Sequence, residues 1–134
     1  MSAVDAQNHK TLTYPPKTIE RAKRSLLCCP FNIGLFAAML SQRVAMSEII
    51  GNFGVNKGYT KAYLSELRAD NALAWLIQVG VLRREVDGQG ITDSFRLTPL
   101  GRQIVEQWEH QPLPTVTWSD RILNFVARWF RLPF

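Results

Sequence analysis

Apolar positions change their period along this chain, and each change marks an element. Ile19, Ala22, Leu26 and Leu27 recur at helical spacing, with Lys17, Arg21, Lys23 and Arg24 on the other faces. Tyr14-Pro15-Pro16 opens that helix, because proline suits a first turn, where its missing N–H has no partner to lose. Pro30 ends or restarts it. The run Phe31–Leu40 is strongly apolar, but its ten residues fall far short of the roughly 20 a bilayer span needs. It predicts a buried core helix.

A turn-rich stretch follows. Ser47 is placed to cap a short helix carrying Ile49 and Ile50, and Asn52-Phe53-Gly54-Val55-Asn56 reads as the turn of a helix-turn-helix, with Gly54 permitting the bend. A third helix is expected from Tyr59 or Thr60 to Val79, either continuous, the favoured form, or broken at Asp70-Asn71. Its expected inward face is Tyr63, Leu67, Ala74 and Ile77, widened by Leu64, Leu73, Trp75 and Leu76. Gly80 stops it. A short charged strand, Leu82–Val86, then leads through Asp87-Gly88-Gln89-Gly90 to a second strand containing Phe95 and Leu97. Thr98 caps and Pro99 begins a further helix, which puts Leu100 and Ile104 inward.

Helix, hairpin and helix in this order outline a winged helix. Ser47 to Trp108 resembles the winged-helix domains of small bacterial regulators of the MarR and PadR families. The resemblance rests on Gly80-Val81-Leu82-Arg83-Arg84, the glycine-bearing turn, and Phe95-Arg96-Leu97-Thr98-Pro99-Leu100-Gly101. It implies a homodimer that binds operator DNA, with terminal helices at the dimer seam. The expected fold class is mainly α with a small β-hairpin wing and extra helices at both ends. Residues 1–14 form a loose start, 15–110 the winged-helix domain with its preceding helix, and 111–134 a linker and amphipathic helix.

That last helix follows Pro112 and Pro114 and is capped by Ser119. Trp118, Ile122, Phe125, Val126, Trp129 and Phe130 lie on one broad face; Arg121, Asn124, Arg128 and Arg131 lie on the other. Such an apolar face is expected to pack on the core or across a dimer seam, on a membrane surface, or on a different protein.

Charge alters the functional picture. The net +5 and pI near 9.6 suggest nucleic acid. Yet residues 31–110 carry eight basic and eight acidic side chains, so the excess belongs to the two ends. The residues placed to touch phosphates or base edges are Lys57, Tyr59, Thr60, Lys61, Ser65 and Arg68 on the third helix, with Arg84 and Arg96 from the hairpin. Glu66 and Asp70 interrupt the helical set, Asp87 occupies the hairpin tip, and Arg84 and Arg96 are equally placed to pair with Glu85 or Asp93.

Catalysis is not expected. His9 and His110 are the two histidines, and no phosphate loop, nucleophile elbow or spaced ligand set occurs. No metal or cofactor is expected. Cys28 and Cys29 are adjacent and poorly placed to bridge each other, which favours a buried or half-buried thiol pair in a reducing cytoplasm over a redox or metal role. A signal-peptide pattern is missing from the start of the sequence, so a cytoplasmic location is expected, with peripheral membrane attachment possible through the last helix. Three functions follow: a DNA-binding transcriptional regulator, which is favoured; a winged helix reused for protein interaction; and a peripheral membrane adaptor.

Overall fold

Seven helices and a three-stranded antiparallel sheet make up the described part of the chain, residues 13–86, 93–110 and 118–130 of a computed structural model. In order they are α1 (Pro16–Cys28), α2 (Ile33–Met39), β1 (Val44–Ala45), α3 (Met46–Ile49), α4 (Gly51–Asn56), α5 (Glu66–Gln78), β2 (Leu82–Val86), β3 (Asp93–Leu97), α6 (Pro99–Glu109) and α7 (Trp118–Phe130). The fold is mainly helical, as the apolar periodicity predicts.

The core forms where α1, α2, α5 and α6 close over one face of the sheet. Leu35, Phe36, Met39, Ile49, Leu73, Leu76, Phe95 and Ile104 are buried there. Phe95 sits on the central strand, since the sheet order is β1-β3-β2, with Val44 opposite Phe95 on one side and Arg84 opposite it on the other. The two-residue β1 is too short to show any period, which is why sequence alone predicts only the hairpin. Trp75 on α5 ties α1 down by donating its indole N–H to Ser25 Oγ at 3.2 Å.

The Thr98-Pro99 segment behaves as expected. Thr98 Oγ1 accepts from Gly101 N at 3.1 Å, Pro99 opens α6, and Leu97, Leu100 and Ile104 are buried. Gly101 has a further role. A Cβ there would lie 2.2 Å from the Val81 carbonyl oxygen, so α6 approaches the start of β2 closely only because the residue is glycine.

The region before α5 departs from expectation. The helix does not begin at Tyr59 or Thr60; it begins after Ser65, whose Oγ accepts from Arg68 N at 3.3 Å. Upstream, the Tyr59 carbonyl accepts from Asn32 N at 2.8 Å and Lys61 N donates to the Pro30 carbonyl at 3.0 Å. Thr60 also forms an antiparallel bridge with Phe31. Backbone groups committed to the α1–α2 connection cannot close helical turns, so this stretch is extended. From Ser65 onward α5 runs unbroken through Asp70-Asn71.

Starting the helix later also moves its buried face. Ala69, Ala72, Leu73, Trp75 and Leu76 point inward, whereas Tyr63, Leu67 and Ala74, expected inside, are exposed. Gly54 does not make the bend either. It is buried within α4, where a Cβ would fall 1.8 Å from the Ile49 carbonyl oxygen, and the turn comes later, after Asn56. Ser47 is not a cap: α3 starts at Met46, and its first turn is closed by Glu48 Oε2 accepting from Ala45 N at 3.1 Å. The hairpin tip at 87–90 and the linker with Pro112 and Pro114 lie outside the described residues.

Candidate interaction surfaces

The α4–α5 face carries most of the side chains expected to meet DNA, and most are engaged by the protein itself. Lys57 ends α4, pairs with Glu48 Oε1 at 3.0 Å, and stands 5.7 Å from the Tyr59 ring centre. Glu48 in turn is held below the usual carboxylate range, chiefly by the Ala45 N–H and then by Lys57. Thr60 is 3% exposed and so out of reach of any partner. Lys61 Nζ donates to the Cys29 carbonyl at 3.0 Å. Ser65 is spent on the helix cap. Arg68 is exposed on the first turn of α5, and its side chain has no ion pair among the described residues.

The hairpin arginines are clamps. Arg84 reaches Asp70 Oδ1 on α5 at 2.8 Å and Asp93 Oδ2 on β3 at 2.9 Å, with its guanidinium 5.2 Å from the centre of the Phe95 ring. Arg96 Nε meets Glu85 Oε1 at 3.3 Å, and Arg83 meets the other oxygen of Glu85 at 3.0 Å. Arg43 also approaches Glu85, at 3.9 Å, so three arginines share that one carboxylate and the hairpin cations are offset only in part.

Large apolar side chains are exposed on the same stretch of chain. Phe53 (68% exposed), Tyr63 (63%) and Leu67 (70%), with Val55, stand out from α4, the connection and the first turn of α5. The sequence pattern had assigned Tyr63 and Leu67 to the core, and only the true start of α5 reveals them as surface.

A second surface is α7. It packs on α1 through Ala127, which is fully buried. Asn124 and Arg128 are turned partly inward as well, the reverse of the face expected for them, because the small Ala127 lets the two helices come close on that side. Burial pulls the Arg128 pKa below its ordinary value, and its guanidinium lies 5.6 Å from the Trp129 ring centre. Of the residues expected at an interface, Ile122, Phe125 and Trp129 are exposed and Val126 is half-buried. The Trp118 and Phe130 side chains lie outside the described residues.

Two grooves of about 260 and 270 Å³ complete the surface relief. One runs between α5 and α7, lined by Asn71, Gln78, Trp75, Arg128 and Trp129. The other is apolar, formed by Leu26, Phe31, Phe36 and Trp108 with Lys61 at its edge. Neither gathers a nucleophile with a base. Among the described residues, no group of three or more His, Cys, Asp or Glu side chains is placed to hold a metal ion.

The adjacent cysteines are both free thiols. Cys29 is buried, donates to the Leu26 carbonyl at 2.9 Å, and is pushed up to about 12 by desolvation. Cys28 is half-buried and raised for the same reason, despite Arg24, Arg121 and Lys61 nearby.

What these features define is a mainly helical domain that engages many of its polar side chains internally and exposes large apolar residues on α4, on the connection to α5, on the first turn of α5 and on α7. The chain belongs to the Npun_F0494-like family, which matches residues 12–128, everything described except Trp129 and Phe130 at the end of α7. No curated protein and no solved structure matches it.

Proposed function

We propose that this chain is a winged-helix module, without catalytic activity of its own, that docks a protein partner on its α4–α5 face. The order α2, β1, α3–α4, α5 and then the β2–β3 hairpin, with β1 added to the far edge of β3, supports the winged-helix reading. In such a module α5 is the helix that would enter a DNA groove.

The observation that carries the docking reading is the character of that face. Phe53, Tyr63 and Leu67 are each more than 60% exposed there, while Lys57 pairs with Glu48 and Arg84 with Asp70 and Asp93. Exposed ion pairs are weak, about 0–1 kcal/mol each, so pairing alone does not keep an arginine from a phosphate. Carboxylates beside these cations do weaken the counterion release that drives duplex binding. Large apolar side chains act in the opposite sense: full burial of each is worth about 1.5–3 kcal/mol, available when an apolar partner covers them and unavailable against a phosphate backbone.

The test compares two variants of the full chain. Tyr63→Ser with Leu67→Ser should abolish capture of the partner from native extract, while Lys57→Glu with Arg68→Glu should leave it largely intact. The reverse pattern, with saturable binding to genomic DNA fragments lost in the charge-reversal variant, would make the chain a DNA-binding regulator instead.

A further inference from the structure

The basic excess that sequence places at the two ends converges in space. α1 carries Lys17, Arg21, Lys23 and Arg24 against Glu20, and α7 packs on it with Arg121 and Arg128 against Asp120. Cys28, at the end of α1, lies near Asp120, Arg121 and Arg24, which places the start of α7 beside the end of α1. The domain between the ends has no net charge. Of the α1 and α7 cations, Lys17 and Arg121 are exposed and Arg21, Lys23 and Arg128 half-buried, whereas Arg24 is buried.

The same helix pair also presents an apolar ridge. Ile122, Phe125 and Trp129 recur at spacings of three and four, which stacks them on one side of α7, and all three are more than half exposed. The Phe125 and Trp129 rings abut, their centres 6.1 Å apart. Meanwhile Asn124 is turned toward α1, with its Oδ1 buried and lacking a hydrogen-bond partner among the described residues. α7 is seated with its small and polar side inward and its aromatic side outward. A helix held only by its own core would be expected to sit the other way round.

We infer that α7 is an in-plane membrane anchor that lays Ile122, Phe125 and Trp129 into the headgroup region of an anionic lipid bilayer. Arg121 with Lys17, Arg21 and Lys23 of α1 faces the lipid phosphates. Charge selects an anionic bilayer over a second copy, because a second copy on the same ridge would set two cationic helix pairs against each other. No helix among the described residues is long and apolar enough to cross a membrane, so the anchoring we infer for α7 is along the surface.

The experiment is flotation of the full chain with vesicles of pure phosphatidylcholine and of equal parts phosphatidylcholine and phosphatidylglycerol. The full chain should float with the anionic vesicles, remain behind with the neutral ones, and be released by added salt. Phe125→Ser with Trp129→Ser should lower binding by about tenfold or more, and Arg121→Glu should lower it several-fold. Trp129→Phe should retain flotation, which separates loss of the ridge from loss of the fold. The inference is overturned if the double variant floats like the parent, or if the parent does not float. It is equally overturned if the parent sediments as a dimer that the double variant breaks, or if an acidic protein is bound through the ridge in place of anionic vesicles. None of these outcomes bears on the α4–α5 face.

Discussion

Cys28 and Cys29 show how one residue of displacement along a chain separates two chemistries. Both thiols are raised by desolvation, but Cys29 is fully enclosed and bonded to the Leu26 carbonyl, whereas Cys28 is only half-buried. A thiol-specific reagent such as Ellman's should modify Cys28 in the folded protein and reach Cys29 only on unfolding; simultaneous modification of both under native conditions would contradict this. The same burial fixes a pH dependence. The unfolded chain releases the Cys29 proton near 9.0 and the folded chain near 12, so the unfolded state binds fewer protons between those values and stability falls as pH rises through them. The slope from this one group is at most about 1.4 kcal/mol per pH unit, and Cys29→Ala should remove it from urea-unfolding curves. Gly101 makes a second residue-scale claim. Placing a methyl group 2.2 Å from the Val81 carbonyl forces α6 away from β2, so Gly101→Ala should cost about 1–3 kcal/mol, and an unchanged unfolding midpoint would contradict it. Sequence legibility divides at this point. Thr98 and Pro99 act on their own helix and could be read from neighbours; Gly101 answers to Val81, twenty residues away, and local pattern carries no trace of that contact.

At the scale of elements, the clamp around Arg84 joins α5, β2 and β3. Its guanidinium lies over Phe95 and reaches Asp70 and Asp93, so the acidic residues that seem out of place on a DNA-reading helix have a structural task. The side chains of this network are roughly a third to two-fifths exposed, which limits its worth. A double-mutant cycle on Arg84→Ala and Asp70→Ala should return a coupling of about 0.5–1 kcal/mol, reduced by salt. A coupling near zero would mean that the clamp orders nothing. The elements themselves were legible to different degrees. α1, α2, β2, β3 and α6 follow from periodicity and proline or glycine punctuation. The start of α5 did not, because residues 59–64 have helix-compatible side chains and are kept out of a helix by the backbone bonds of Tyr59 and Lys61 to Asn32 and Pro30. The consequence reaches the candidate site: Tyr63 and Leu67 fit the stripe of a helix starting at Tyr59, yet both are exposed because α5 starts after Ser65. For α7, amphipathicity identifies two faces and leaves open which one turns inward; in the fold Ala127 is buried and Ile122, Phe125 and Trp129 are exposed.

Across the whole molecule, charge and apolar surface are segregated. The basic excess lies on α1 and α7, the central domain is neutral, and exposed aromatic and aliphatic side chains stand on the α4–α5 face and on α7. A net charge of +5 therefore says little about the α4–α5 face. The central claim is that this face is built for an apolar protein partner. The most direct measurement is a salt titration of the full chain against labelled genomic duplex fragments, read by fluorescence anisotropy. A protein that neutralises several phosphates loses about 10³–10⁵ in affinity between 50 and 200 mM salt. The α4–α5 face predicts no such loss: binding should be weak at 50 mM, and Lys57→Glu with Arg68→Glu should leave it unchanged, any residual attraction coming from α1 and α7. Tight, saturable binding with a steep salt slope that the same charge reversals abolish would contradict the account.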